Sequence, residues 1–173
     1  MGKRSNFERI PQDAYQTIDP KAVRRLYRHL QGVRTFSEPC AGEGKLIRML
    51  EERGLKCVHS NDVKENVDAL TLRDFGGADA IVTNPPWSRE ILHPMIRHFQ
   101  HFAPTWLLFD AGWAFTEQSA PYINQCSHII VVGRLKWIED TDMTGKDDCC
   151  WYCFDRHHTG GPKFIGVPEK EPA

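Results

Sequence analysis

The chain has 173 residues, of which 40% are hydrophobic, and a net charge of −1, a composition that suits one ordinary globular domain. No run of about 18 apolar residues occurs, so no membrane-spanning helix is expected. The charged N-terminus lacks an apolar stretch behind it and does not read as a secretory signal, which points to a cytoplasmic setting. There the six cysteines are expected as thiols rather than disulfides. Charge is uneven, because residues 1–34 hold eight Lys or Arg against three acids. Residues 1–12 read as a basic arm, 13–165 as the domain and 166–173 as a tail. A basic arm fits a phosphate backbone, or serves as a solvated helix face.

In chain order, Val23, Leu26, Tyr27 and Leu30 follow helical spacing, with Pro20 at the start and Asp19 as the cap, which predicts a helix over 20–30. A strand over 33–37 leads into a Gly turn. Leu46, Ile47 and Leu50 predict a helix over 44–53, stopped by Gly54. A second strand over 56–60 ends at Asn61-Asp62, and 63–79 is too short and polar for a full helix-strand-helix. The apolar run 80–84 is a buried strand. Ser88 then caps a helix with the stripe Ile91, Leu92, Met95, Ile96, Phe99 and Phe102. A strand over 105–110, a partial helix over 118–124 and strands over 129–134 and 149–155 follow. Residues 138–148 are a polar loop, and 160–173 are rich in Gly and Pro.

Strands alternating with helices predict an α/β fold, a doubly wound and mostly parallel sheet, with an antiparallel terminal hairpin because no helix separates the last two strands. Ligands of such sheets bind beyond the carboxyl ends of the strands, where the Gly turn, Asp62 and Asn84 all fall.

Gly42 and Gly44 let backbone pass close to a ligand, but Ile47 stands where a dinucleotide fingerprint needs its third Gly. Asp62, 20 residues after Gly42, stands where an acid accepts from both ribose hydroxyls, or else caps a following helix. Asn84-Pro85-Pro86-Trp87 ends the third strand. Its prolines fix the backbone and donate nothing, while their carbonyls, an amide and an aromatic face suit a flat base with an exocyclic amine.

The tetrapeptide resembles the catalytic motif of S-adenosylmethionine-dependent amino-methyltransferases, and Glu38-Pro39-Cys40-Ala41-Gly42-Glu43-Gly44 resembles the cofactor loop of class I methyltransferases. Asp62 matches the family's ribose acid, and Asp74-Phe75 its pair that contacts the cofactor adenine. Asp13, Tyr15 and Thr17 resemble the Tyr-x-Thr-Pro start of small phage-type DNA adenine methyltransferases, which helps hold the methionine end; the proline here comes late, as Pro20. The resemblance implies a Rossmann-like fold and methyl transfer from S-adenosylmethionine to an adenine amine in DNA. Asn84, Pro85, Pro86 and Trp87 would be catalytic. Tyr15, Thr17, Glu38, Pro39, Ala41, Gly42, Gly44, Asp62, Asp74, Phe75 and Asn84 would hold the cofactor. Asn84 and the Pro85 carbonyl would accept from the amine, and Trp87 would stack on an extruded base.

Candidate nucleic-acid contacts are Arg24, Arg25, Arg28, Lys136 and Lys146. Nothing resembles a separate target-recognition domain, which implies weak sequence specificity. The same chemistry on RNA adenine or a protein glutamine amide stays open, as does a non-catalytic nucleic-acid-binding module on this scaffold.

No metal site is expected. Cys150 and Cys153 lack a second Cys pair and in a strand point to opposite faces. His93, His98 and His101 have no carboxylate at metal spacing and read as solvent-facing. Trp113 and Trp137, near strand ends, either line a base pocket or fill the core.

Overall fold

A computed structural model describes residues 15–168 except 66 and 142; the basic arm at 1–12 and Asp13 lie outside the described residues. Seven strands form one mixed, mostly parallel sheet in the order β2-β1-β3-β4-β6-β5-β7, with three α-helices. The strands are β1 Thr35–Glu38, β2 Lys56–Ser60, β3 Ala80–Thr83, β4 Thr105–Asp110, β5 Cys126–Gly133, β6 Cys149–Phe154 and β7 Lys163–Ile165. The helices are α1 Pro20–Tyr27, α2 Lys45–Glu51 and α3 Arg89–Phe99.

Two apolar cores sandwich the sheet. On one face α1 and α2 bring Val23, Leu26, Leu46 and Leu50 against Phe36, Val82, Leu108 and Trp151. On the other α3 brings Leu92, Met95, Ile96 and Phe99 against Ile81, Leu107, Phe109 and Tyr152. Alternation along β6 decides the split, with Cys149, Trp151 and Cys153 on one side and Cys150, Tyr152 and Phe154 on the other. Cys150 and Cys153 therefore do not converge on one point.

Local chemistry explains the helix ends. Asp19 accepts from the Lys21 amide at 2.9 Å and Pro20 opens α1, as the sequence predicts. The helix stops at Tyr27, short of the expected 30, because tighter turn bonds from His29 to Leu26 and from Leu30 to Tyr27 close it ahead of Gly32. In α3, Pro94 removes an amide donor on the partly exposed side, while Leu92, Met95, Ile96 and Phe99 stay buried.

Three sequence expectations need correction. The β5–β6 hairpin is antiparallel but not terminal: β6 lies between β4 and β5, antiparallel to both, and β7 takes the edge parallel to β5. A strand buried on both faces belongs inside a sheet, whereas Lys163-Phe164-Ile165 is short and partly exposed, as edges are. The helix expected over 118–124 is replaced by short 3₁₀ turns at Glu117–Ser119 and Ile123–Gln125. His93 and His98 are half-buried and hydrogen-bonded to the protein rather than fully solvent-facing. His93 accepts from the buried Trp113 indole at 3.0 Å, and His98 donates to the Leu72 carbonyl at 2.9 Å. Burial lowers the pKa of both rings.

Between β2 and β3 the chain makes 3₁₀ turns at Val63–Glu65 and Ala69–Thr71 and no strand. The parallel pairings β1–β2 and β1–β3 lie on either side of β1, so the chain reverses its direction of travel across the sheet there. No helix among the described residues is long and apolar enough to cross a membrane.

Candidate active site

A cavity of about 580 Å³ opens at the carboxyl ends of β1, β2 and β3, where the strand order reverses. Its walls include nine of the residues singled out in the sequence: Tyr15, Thr17, Glu38, Pro39, Ala41, Gly42, Asp62, Asn84 and Pro86. Gln16, Asp68, Leu70, Val63, Ile91 and Met95 also line it.

Backbone bonds tie the Gly turn to the end of β2. The Asn61 amide donates to Glu38 O at 3.1 Å, and the Ala41 amide to Asn61 O at 2.9 Å. Asp62 then joins both walls, accepting from the Gly42 amide at 2.7 Å and from the Lys64 amide at 2.9 Å. It thus caps the turn at Val63–Glu65 and faces the cavity at once. Each carboxylate oxygen keeps acceptor capacity for a further donor.

Gly42 has φ +54°, and a Cβ there would run into the Gln16 side-chain amide. The positive φ is what favours glycine there, since the Gln16 amide ends a flexible side chain. Gln16 Oε1 also accepts from the Glu43 amide at 3.1 Å, so the extended segment before α1 lies across the Gly turn. The same segment meets the tetrapeptide, where Asn84 Nδ2 donates to Tyr15 O at 2.9 Å. Asp19 extends the strap to the β5–β6 connection by accepting from the Lys136 amide at 3.1 Å.

Glu38 is the electrostatic anomaly of the cavity. It is 1% exposed, and neither carboxyl oxygen has a hydrogen-bond partner among the described residues. Burial pushes its pKa up to about 8. The Thr83 hydroxyl and the Cys40 amide face it and favour the charged form, but they stop short of hydrogen-bond geometry and burial outweighs them. The Thr17 hydroxyl on the cavity wall is likewise buried without a partner among the described residues. Such groups are costly unless something donates to them.

Other singled-out residues lie elsewhere. Gly44 caps α2 with φ 73° and does not line the cavity. Asp74 accepts from the Gly76 amide in a turn, and Phe75 is buried among His59, His98, Phe99 and Phe102. Asp68-Ala69-Leu70, the same acid-then-apolar pattern a few residues earlier, lines the wall instead. That repetition was the available signal. Asp68 caps its own turn through the Leu70 amide at 2.9 Å.

Pro85 is buried, and Trp87 is half-buried, its indole edge-on to Trp137 at 5.8 Å between ring centroids. Trp113 belongs to the core. Among the basic candidates, Lys136 and Lys146 share the β5–β6 connection with Trp137, and Lys146 is exposed. Arg25 is only 6% exposed, while Arg28 is exposed at the end of α1 away from Asp19.

The chain matches no known protein family and no curated protein.

Proposed function

We propose that this chain transfers a methyl group from S-adenosylmethionine to the exocyclic amine of adenine in DNA. One observation carries the reading: the Gly turn, Asp62 and Asn84 meet around one cavity at the point where the strand order reverses. The doubly wound, Rossmann-like description of the sheet belongs to the same proposal, supported by parallel strands β1 to β4 with helices on both faces.

The cavity chemistry fits the cofactor. Asp62 would accept from its ribose hydroxyls. Val63, Leu70, Ile91 and Met95 offer apolar walls for a flat ring, and Asp68 an acceptor at their margin. Glu38, buried and unpartnered, suits a cationic amine, and Thr17 a polar group beside it. When bound, the cofactor supplies an electrophilic methyl.

The remaining work falls to Asn84 and Pro85. An adenine amine is a poor nucleophile because its lone pair is delocalised into the ring. Acceptance of its two protons by Asn84 Oδ1 and the Pro85 carbonyl would favour a pyramidal nitrogen and fix its direction. Both acceptors also stabilise positive charge as it develops on that nitrogen. Water takes the released proton, so no strong base is required.

The test is transfer of a tritiated methyl to separate DNA, RNA and protein pools, followed by nucleoside and amino-acid analysis. Label on N6-methyladenine in DNA is the expected result. Label confined to RNA or to glutamine keeps the chemistry and replaces the substrate. No label anywhere, with the cofactor bound, leaves a binding module.

A further inference from the structure

We infer that Trp87 acts through its indole N–H as the positioning residue of Asn84, with Trp137 holding it in place. The inference rests on the methyltransferase reading above and assigns a role to the last residue of the tetrapeptide. Asn84 Oδ1 accepts from Trp87 Nε1 at 3.2 Å, while Asn84 Nδ2 donates to Tyr15 O at 2.9 Å. An indole N–H only donates and a backbone carbonyl only accepts, so these partners fix which end of the amide is which. A half-turn of the amide would set carbonyl against carbonyl and N–H against N–H. One acceptor site on Oδ1 is taken by the indole, and the second remains for a substrate donor.

Trp87 is itself held. It packs against both apolar cores, and Trp137 meets it at an interplanar angle of 83°. Trp137 in turn lies under Gly145, where a Cβ would fall 2.8 Å from its indole nitrogen. The Gly145 amide donates to Leu135 O at 2.7 Å, closing that loop over the ring. Gly145, Trp137, Trp87 and Asn84 thus form a packed series from the polar loop to the acceptor. A phenylalanine at position 87 would keep an aromatic face for a base and lose the N–H that orients Asn84.

Trp87→Phe separates the two roles. In single turnover with saturating cofactor and DNA, the transfer rate should fall roughly tenfold, as for loss of one ordinary hydrogen bond. DNA affinity should stay at the wild-type level. A wild-type rate with weakened DNA binding would overturn the inference and make Trp87 a stacking platform. A second measurement needs no activity. The Trp87 indole N–H signal, assigned in the wild-type spectrum from its proximity to the Trp137 ring, should shift and exchange faster with solvent in Asn84→Ala. An unmoved signal refutes the bond even if Trp87→Phe fails to fold. If the wild-type chain methylates nothing, the functional reading falls, and the indole signal alone decides whether Trp87 orients Asn84.

Discussion

Strands β6 and β1 of the same sheet treat buried polarity in opposite ways. All six side chains of β6 are buried, and the polar atoms of its large rings are paired. Trp151 Nε1 donates to Ala22 O at 2.9 Å, and the Tyr152 hydroxyl to Asp110 O at 3.0 Å. Strand β1 instead ends in Glu38, whose two oxygens have no partner among the described residues, opposite a Thr83 hydroxyl that also lacks one there. An unpaired buried group costs stability, and Glu38 lines the cavity. The difference teaches which half is scaffold. Strand β6 buries only paired polar groups, whereas the end of β1 carries a buried carboxyl that lines the cavity with no partner among the described residues.

The largest effect should come from the scaffold side. Trp151→Ala empties a fully buried position on β6 and leaves the Ala22 carbonyl without its donor. Stability should drop by about 3–5 kcal/mol, measured by denaturant unfolding. A loss under about 1 kcal/mol would break the comparison, because β6 would then not be where the fold is held. On the site side Asn84→Ala should cost about 1–2 kcal/mol of stability, for its bonds to Tyr15 O and the Trp87 indole, and lower the single-turnover rate by roughly 10²–10³. Cofactor affinity should fall less than the rate, because on the proposed reading Asn84 Oδ1 meets the substrate amine. Transfer at the wild-type rate would make the tetrapeptide a structural strand end.

Much of the architecture was legible because the periodicities are clean. The apolar run before Asn84 is a buried strand, and the stripe from Ile91 to Phe102 is α3. The position of β6 was not legible, since strand order depends on pairing between residues far apart in sequence. Its burial on both faces, readable as an unbroken Cys-Cys-Trp-Tyr-Cys-Phe run, was the one hint that it belongs inside. In the site, the Gly turn and Asp62 were legible from their order along the chain. Gln16 and Asp68 were not, because each lines the cavity through the path of an irregular segment that has no period. Arg25 misled for a related reason: a charge on a helix reads as exposed, yet this one faces inward beside Ala22 and Leu26.

Asp62 sharpens the comparison from within the site. Asp62→Ala should weaken S-adenosylmethionine binding by about 1–3 kcal/mol, the cost of unpaired ribose hydroxyls. It also removes the acceptor shared by the Gly42 and Lys64 amides, so stability should fall by about 1 kcal/mol. Calorimetric affinity equal to wild type would take Asp62 out of the cofactor site while keeping it as a cap.

Glu38 gives the most specific effect, because its sign can be worked out. In the unfolded chain its carboxyl ionises near 4.5, and in the folded chain burial raises that to about 8. Between those values the folded state holds a proton that the unfolded state has lost. Stability therefore falls as pH rises through this window, by at most about 1.4 kcal/mol per unit. Below the window Glu38 contributes nothing, and above it the full penalty is present. The lowered histidines, His29, His93, His98 and His128, act in the opposite direction, losing stability as pH falls through their folded values. Subtracting the Glu38→Gln curve from wild type cancels them and isolates Glu38. Wild type minus variant should decline from pH 5 to pH 8, and a flat difference would place Glu38 in an ordinary carboxylate environment. The same proton reports on the ligand. If a cationic amine settles beside Glu38, binding at pH 7 should release about one proton, read from calorimetric enthalpies in two buffers. Glu38→Gln should abolish the release. Proton release that persists in the variant would assign it to another group and leave the buried carboxyl without a ligand.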